Sequence, residues 1–320
     1  MANNILMRTG PDYIQFYPTL RCNRACEFCF NRSMPSVEDM SPVSFRAMLD
    51  VLARISVGTL DIIGGEPTMH PDIVMLIRAA VERGFSVNVS TNGSDLQTLA
   101  EIVQIGETVS AGVSINDRNT LEQVRGFIER HKPVAKSVFH TGLDRGLIDE
   151  ILALKPKKFY LIYRDALDSA DLRETVPFPR FMRAVAQSFA PHPIDTVYCS
   201  GFVPDTKNHP ELSRVRCPAG TTKLGIMPDG SVYPCNLFFG RKEFFLGNIL
   251  HDPFEAIWRS PALAFFRAFS GNACPQRACE FHGQCHGGCP AQALVLSGDL
   301  AAPDPRCSTR IRSSGRRRLC

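Results

Sequence analysis

The 320-residue sequence has few of the features that mark membrane-bound or secreted proteins. It contains no run of about 18 apolar residues, the length that a membrane-spanning helix needs. Its first residues, MANNILMRTGPDYIQF, lack the apolar core that follows a basic start in a secretory signal. From these absences we expect no membrane contact and a cytoplasmic location.

An excess of charge of one sign is also absent from most of the chain. The formal net charge is +4, and five arginines lie in the last eleven residues, so the remainder carries −1. Because no basic face stands out elsewhere, we expect no nucleic-acid partner. The arginine-rich end could contact phosphate or an acidic partner, or it could be a solvated terminus.

Cysteine, in contrast, is abundant, with twelve residues in the chain. Without a secretory signal, clustered cysteines indicate metal binding more often than disulfides. Three cysteines lie within residues 22–29 and seven between residues 217 and 307. Cys199 and Cys320 stand outside both groups.

Strand-like apolar segments alternate with helical patterns from Tyr13 to about residue 189. The predicted strands cover residues 13–19, 59–63, 85–91, 108–116, 134–140 and 158–163. Segments between them, such as 41–55, have apolar side chains at helical spacing. Six repeated βα units predict an α/β fold with a parallel sheet, either barrel-like or doubly wound. The alternation stops near residues 190–198, where we place a domain boundary.

The first cysteine group follows the first predicted strand. Cys22, Cys26 and Cys29 have the spacing C-x3-C-x2-C, and active sites of parallel βα folds lie at the carboxyl ends of strands. Three thiolates would leave one iron of a four-iron cubane without a protein ligand, and a small molecule could bind that iron. The alternatives are zinc, although no fourth Cys or His lies nearby in sequence, and three unrelated buried thiols.

A second motif, Gly64-Gly65-Glu66-Pro67, directly follows the second predicted strand. Glycines let the backbone approach a ligand closely, and carbonyl groups with a carboxylate suit an ammonium group. Polar residues also end the third and fourth strands, where simple turns commonly have them: Asn92, Ser114 and Asn116.

The cysteine loop, with Phe28 before its last cysteine, and the GGEP segment together resemble the signature of the radical S-adenosylmethionine (SAM) superfamily. The resemblance implies a partial (β/α)6 TIM-like barrel over residues 1–195, with a [4Fe–4S] cluster on the three cysteines. In this family the reduced cluster cleaves SAM to a 5′-deoxyadenosyl radical, which abstracts hydrogen from the substrate. The SAM-binding residues implied here are Phe28, Gly64, Gly65, Glu66, Pro67, Asn92, Ser114 and Asn116.

The second cysteine group resembles the SPASM extension of this superfamily, a small cysteine-rich α+β domain that we place at residues 196–310, before a basic tail at 311–320. The resemblance implies one or two auxiliary [4Fe–4S] clusters, and we expect two. The first would bind Cys217, Cys235 and Cys289, with Cys199 or an open iron at the fourth position. The second would bind Cys274, Cys279, Cys285 and Cys307. The spacing by itself suits structural zinc equally well.

The resemblance implies an enzyme without fixing its substrate. One hypothesis is modification of a peptide or protein, and a second is a reaction on a small natural-product or cofactor precursor such as a sugar, nucleoside or tetrapyrrole. A third is a non-enzymatic iron–sulfur or zinc module. His140, Tyr163 and Arg164 end the later strands and are candidate catalytic residues. The implied electron donor is flavodoxin or ferredoxin.

Overall fold

The computed structural model describes residues 9–32, 34, 36–188, 194–197, 217–276 and 278–307. Cys199, Cys320 and the arginine-rich tail lie outside these residues, so what the sequence predicts for them stays a prediction. None of the helices in the described ranges has the length and apolar character to cross a membrane.

Ten strands form one sheet in the order β10-β9-β8-β1-β2-β3-β4-β5-β6-β7. Strands β1 to β7 run parallel, each paired with the next along the chain. The order has two ends among the described residues, so the sheet is an open, partial barrel and confirms the predicted α/β class. The strands are β1 Tyr13–Phe16, β2 Thr59–Ile62, β3 Ser86–Thr91, β4 Val109–Ser114, β5 Val134–Phe139, β6 Lys158–Tyr163, β7 Ile194–Val197, β8 Lys223–Ile226, β9 Ser231–Tyr233 and β10 Gly247–Asn248.

Helices connect the consecutive parallel strands from β1 to β6, and further helices follow the strands of the C-terminal region. The first begins where the Ser41 hydroxyl accepts from the Ser44 N–H at 3.1 Å, and it buries Phe45, Met48 and Leu52 on one face. The helices are α1 Pro42–Arg54, α2 Ile73–Glu82, α3 Leu96–Val103, α4 Arg118–His131, α5 Arg145–Ala153, α6 Ser169–Glu174, α7 Phe178–Ser188, α8 Phe254–Trp258, α9 Ala264–Ala268, α10 His282–Cys285 and α11 Pro290–Ser297.

The two faces of the sheet differ in polarity. Side chains such as Phe16 and Ile62 are fully buried in the apolar core on one face. Successive side chains of a strand point to opposite faces, so the other face presents Gln15, Asp61 and Asn88, which lie side by side in register. Asp61 lines an interior cavity. The polar face therefore faces the inside of the partial barrel.

The C-terminal region continues the barrel sheet. Strand β8 pairs in parallel with β1, with Tyr13 opposite Lys223, and β9 and β10 add antiparallel strands beyond it. Phe238 and Phe266 of this region belong to the same apolar core cluster as Phe16 of β1. At the opposite end of the sheet, β7 crosses the position at which the sequence placed the domain boundary. The cysteine-rich region and the barrel thus share a sheet and a core.

Candidate active site

The N-terminal cysteines lie on the loop after β1. Cys22, Cys26 and Cys29 line a cavity of about 240 Å³ together with Gly64, Gly65 and Glu66. The Cys29 N–H donates to the Cys26 carbonyl at 3.0 Å, which makes the loop turn tightly. None of the ten described cysteines forms a disulfide, so the three thiols of the loop can serve as ligands.

The thiols of this loop influence one another's ionisation. Burial raises the pKa of the Cys26 thiol, and the neighbouring Cys29 and Cys22 raise it further. Burial likewise raises the pKa of Cys29, and Cys22 adds to that effect. A bound cation would favour the thiolates. In the described ranges no three His, Cys, Asp or Glu side chains gather closely enough for one metal ion.

Backbone hydrogen bonds hold the GGEP turn against the start of the cysteine loop. The Gly65 N–H donates to the Thr19 carbonyl at 3.0 Å, and the Glu66 N–H donates to the Arg21 carbonyl at 2.7 Å. The two sequence motifs, more than 30 residues apart in the chain, are therefore adjacent in the fold.

The two glycines are required for this contact between backbone segments. A Cβ atom on Gly65 would lie 2.6 Å from the Leu20 carbonyl oxygen and closer still to that of Arg21. Gly64 has φ +128°, and its Cβ would lie 2.5 Å from the Thr19 oxygen. The sequence pattern predicts that these glycines let the backbone approach a ligand closely. The structure shows that they permit close approach to the cysteine loop.

The Glu66 carboxylate, 1% exposed, ties the GGEP turn to the end of β3. One oxygen accepts from the Thr91 hydroxyl at 2.7 Å and the Thr68 hydroxyl at 2.8 Å, and the other accepts from the Asn92 N–H at 2.7 Å. Protein donors thus reach both carboxylate oxygens, and the role of this carboxylate toward an ammonium group of a ligand stays a prediction.

Most of the other predicted SAM contacts lie around the same cavity. Asn116 accepts a hydrogen bond from the Val138 N–H at 2.7 Å. Pro67 is buried at the start of a short 3-10 helix and is not among the residues that line the cavity. The lining residues of the predicted set are Phe28, Gly64, Gly65, Glu66, Asn92, Ser114 and Asn116.

The three catalytic candidates have different surroundings. Arg164 lines the cavity. His140 stacks on Phe28 with ring centroids 6.3 Å apart, and burial, then the Arg164 charge, lowers its pKa. Tyr163 is not brought into the cavity, because its buried hydroxyl lies 2.8 Å from the Val176 carbonyl and 2.9 Å from that of Arg306.

Two charged residues of the cavity were not found from the sequence. The Lys136 ammonium passes over Gly112, where a Cβ would lie 2.8 Å from Nζ, and donates to the Ser90 hydroxyl at 2.5 Å. Asp61 is 2% exposed, and its Oδ1 has no hydrogen-bond partner among the described residues. Burial raises the Asp61 pKa and lowers the Lys136 pKa, while the opposite charges moderate both shifts. The sequence signal for Asp61 and Lys136 is a charged residue within each of two short apolar strands, TLDII and VAKSVF.

Asn31 is a further cavity residue that no sequence pattern indicates. Its Nδ2 donates to the Gly64 carbonyl at 2.5 Å, which adds a side-chain contact between the two motifs. Its Oδ1 is buried, lacks a partner within the described residues and belongs to a cavity-lining side chain. A single asparagine after the last cysteine carries no pattern that would reveal this acceptor.

The four thiols of the predicted second auxiliary set influence one another's ionisation. Burial raises the pKa of Cys307 to about 11, and the nearby Cys285, Cys274 and Cys279 raise it further. Burial also raises the pKa of Cys285, again with contributions from Cys274 and Cys279. Four thiols that interact electrostatically form a suitable ligand set for a cluster.

The described members of the first auxiliary set lie on three separate segments. Cys217 precedes β8, and buried Cys235 precedes a short 3-10 helix. Cys289 caps the start of α11, and its N–H donates to Asp304 at 3.0 Å. Cys199, the predicted fourth ligand, is outside the described residues.

A buried ionic network connects this cysteine-rich end to the cavity. Arg306, next to Cys307 and 2% exposed, pairs with Asp304 at 2.7 Å and with cavity-lining Asp165 at 3.1 Å. Its guanidinium also lies 4.8 Å from the centroid of the Tyr163 ring. Such buried charges are tolerated because each has a partner.

Comparison with known protein families identifies two segments of the chain. A radical SAM superfamily model matches residues 16–156, and a model of SPASM, an iron–sulfur cluster-binding domain, matches residues 217–290. The chain contains a radical SAM domain followed by a SPASM domain. It is an enzyme with a SPASM domain, and the two matched domains indicate SAM and [4Fe–4S] clusters as its cofactors.

Characterised relatives are similar over most of the radical SAM chain. The subtilosin biosynthesis protein AlbA of Bacillus subtilis is 27% identical over 89% of this chain and 68% of its own length. The PqqA peptide cyclase of a Methylobacterium species is 27% identical over 91% and 84%, respectively. The AdoMet-dependent heme synthase of Nitratidesulfovibrio vulgaris is 26% identical over 92% and 91%.

A solved structure shares the fold. SuiB of Streptococcus suis, determined with its precursor peptide SuiA, superposes with a TM-score of 0.71 over 93% of this chain and 76% of SuiB. Sequence identity is 20%, so this likeness concerns architecture alone.

Proposed function

We propose that this enzyme abstracts hydrogen from a peptide or protein substrate held beside the cysteine loop. The observation that carries the proposal is the contact of the two motifs, with the Glu66 N–H 2.7 Å from the Arg21 carbonyl at the cavity. A peptide substrate is supported by similarity to a PqqA peptide cyclase and by the fold shared with SuiB, which was solved with a precursor peptide.

In this proposal Cys22, Cys26 and Cys29 hold a [4Fe–4S] cluster, and SAM lies against Gly64 and Gly65. The donor set fits, because three interacting thiols face one cavity whose wall includes the unpartnered, buried Oδ1 of Asn31. Cluster and SAM, when bound, supply the radical chemistry. The chain supplies the thiolates, oriented polar groups and the cavity that they line.

The cysteine-rich region would bind two auxiliary clusters, giving three clusters and about 12 Fe per chain. One would use Cys217, Cys235 and Cys289, with Cys199 or an open iron in the fourth position. The other would use the four thiols around Cys307. A flavodoxin or ferredoxin would deliver the electrons. Although the sheet is shared, we retain residues 1–195 as the barrel domain and 196–310 as the auxiliary-cluster domain.

Arg164 is the strongest candidate for a substrate contact. Its side chain is buried, and its Nε has no hydrogen-bond partner in the described part of the chain. Its ion pair with Asp171 is long, at 3.4 Å, and the same carboxylate also pairs with Arg32. The guanidinium therefore retains a donor for a substrate carbonyl or carboxylate oxygen.

The first test is anaerobic reconstitution followed by iron and sulfide analysis. Wild-type protein should bind about 12 Fe and cleave SAM. Replacement of Cys22, Cys26 and Cys29 by serine should leave about 8 Fe and abolish SAM cleavage. Wild-type protein that holds one or two zinc ions and no iron would refute the proposal.

The substrate class is tested by adding candidate precursor peptides to the reconstituted enzyme. A peptide substrate should stimulate formation of 5′-deoxyadenosine and lose hydrogen, as measured by mass spectrometry. The alternative is a small cofactor precursor, favoured by similarity to a heme synthase over 92% of this chain. Stimulation by a tetrapyrrole, with no peptide modified, would favour that alternative.

A further inference from the structure

The orientation of the Asn92 side chain is fixed by its neighbour Ser94. The Ser94 backbone N–H lies 2.9 Å from Asn92 Oδ1. A backbone N–H only donates, so the amide oxygen must face Ser94 and the amide nitrogen must face the opposite way. That nitrogen points to the cysteine loop.

The Asn92 amide nitrogen has two neighbours on that loop. Nδ2 donates to Asn23 Oδ1 at 2.9 Å and lies 4.0 Å from the Cys22 sulfur. Asn23 in turn donates to the Ser94 hydroxyl at 2.8 Å. The three polar residues close a ring that joins the end of β3 to the residue after Cys22.

This ring is anchored to a buried group. The Asn92 N–H donates to Glu66 at 2.7 Å, and the Thr91 hydroxyl donates to the same carboxylate at 2.7 Å. Because Glu66 is 1% exposed, the backbone that carries Asn92 is held by the interior of the protein. The position of the amide relative to Cys22 is therefore set by the fold.

An amide NH2 group has two donors, and here they face Asn23 and the Cys22 sulfur. We propose that Asn92 is a positioning residue of the cysteine loop and that its N–H raises the reduction potential of the cluster bound there. The inference rests on the proposed function, in which Cys22 is a cluster ligand. A donor beside a thiolate stabilises the more negative, reduced cluster, and hydrogen bonds to sulfur are a known determinant of cluster potential.

The test is an EPR-monitored redox titration of the reconstituted enzyme. The signal of this cluster is identified by its absence from the Cys22/Cys26/Cys29→Ala variant. Asn92→Ser keeps an oxygen for the Ser94 N–H and removes the amide N–H that faces the Cys22 sulfur. The expected result is a lower midpoint potential. At a fixed potential the ratio of reduced to oxidised cluster should be about tenfold smaller, which corresponds to a midpoint shift of about 59 mV for one electron.

Asn88→Ser is the matched control, because it makes the same chemical change within β3, the strand that precedes Asn92, at a residue that does not line the cavity. Its midpoint should equal that of wild type. An unchanged midpoint in Asn92→Ser, or an equal shift in both variants, would overturn the inference. If Asn92→Ser does not assemble the cluster, the titration is made on Asn92→Asp, which keeps the size of the side chain and its acceptor oxygen. A wild-type midpoint potential in Asn92→Asp would equally overturn the inference. Wild-type protein without this EPR signal would instead refute the proposed function.

Discussion

Substitution of Gly65 by alanine tests the contact between the two motifs directly. The added methyl group would lie 2.6 Å from the Leu20 oxygen and closer to that of Arg21, and these backbone atoms cannot rotate away. The segments must separate, which breaks the 2.7 Å hydrogen bond from Glu66 to Arg21. Loss of the hydrogen bond costs about 1 kcal/mol, and the steric strain costs about 1–3 kcal/mol.

We therefore expect Gly65→Ala to lower the free energy of unfolding by about 2–4 kcal/mol. In a chain of this size, thermal unfolding should shift down by about 2 °C for each kcal/mol. The same displacement should weaken SAM binding, measured by equilibrium dialysis on reconstituted protein. Gly58→Ala is the control, because its nearest atom would lie 3.9 Å away. A Gly65→Ala protein with the unfolding temperature and SAM affinity of wild type would refute the reasoning.

Other features of the cavity give three further predictions. Gly112→Ala should displace Lys136. A double-mutant cycle with Lys136→Ala, measured by urea unfolding, should therefore give a coupling energy of about 1–2 kcal/mol. Additive effects of the two substitutions on the free energy of unfolding would contradict the contact. Arg306→Met should leave its buried carboxylate partners unpaired and destabilise by about 3–5 kcal/mol in the same assay, whereas a loss near zero would show that the network is dispensable. Arg164→Met should raise the pKa of His140 toward its usual value, measured by NMR of the cluster-free protein. Because the folded-state pKa of His140 is depressed, wild type should lose stability as the pH falls below the usual imidazole pKa of about 6.5, and the variant should lose less. A His140 pKa in Arg164→Met equal to that of wild type would show that the Arg164 charge does not lower it.

The strands of the barrel were predictable because their signal is local. Six of the seven consecutive parallel strands fall within the predicted segments. The seventh, Ile194–Val197, lies among prolines and was interpreted as a boundary. The pairing of Tyr13–Phe16 with Lys223–Ile226 joins segments about 200 residues apart, and no local periodicity encodes such a partner.

The site was predictable where residue type and spacing carry the chemistry. Cysteines at ligand spacing and the GGEP segment identified the two motifs that meet at the cavity. The inward-facing charges Asp61 and Lys136 were not found, because their role depends on which face of the strand the fold turns inward. The Asn92 ring also needed the structure, since it joins residues about 70 positions apart.

The strand that joins β1 from the C-terminal region has a consequence for the folding of shortened chains. A protein cut before Cys217 would leave Tyr13–Phe16 as an outermost strand, with its backbone groups open to pairing with other molecules. Such a fragment should aggregate rather than behave as an independent barrel. For the same reason, loss of iron from the cysteine-rich region should also destabilise the barrel. The two regions should then unfold in one cooperative transition.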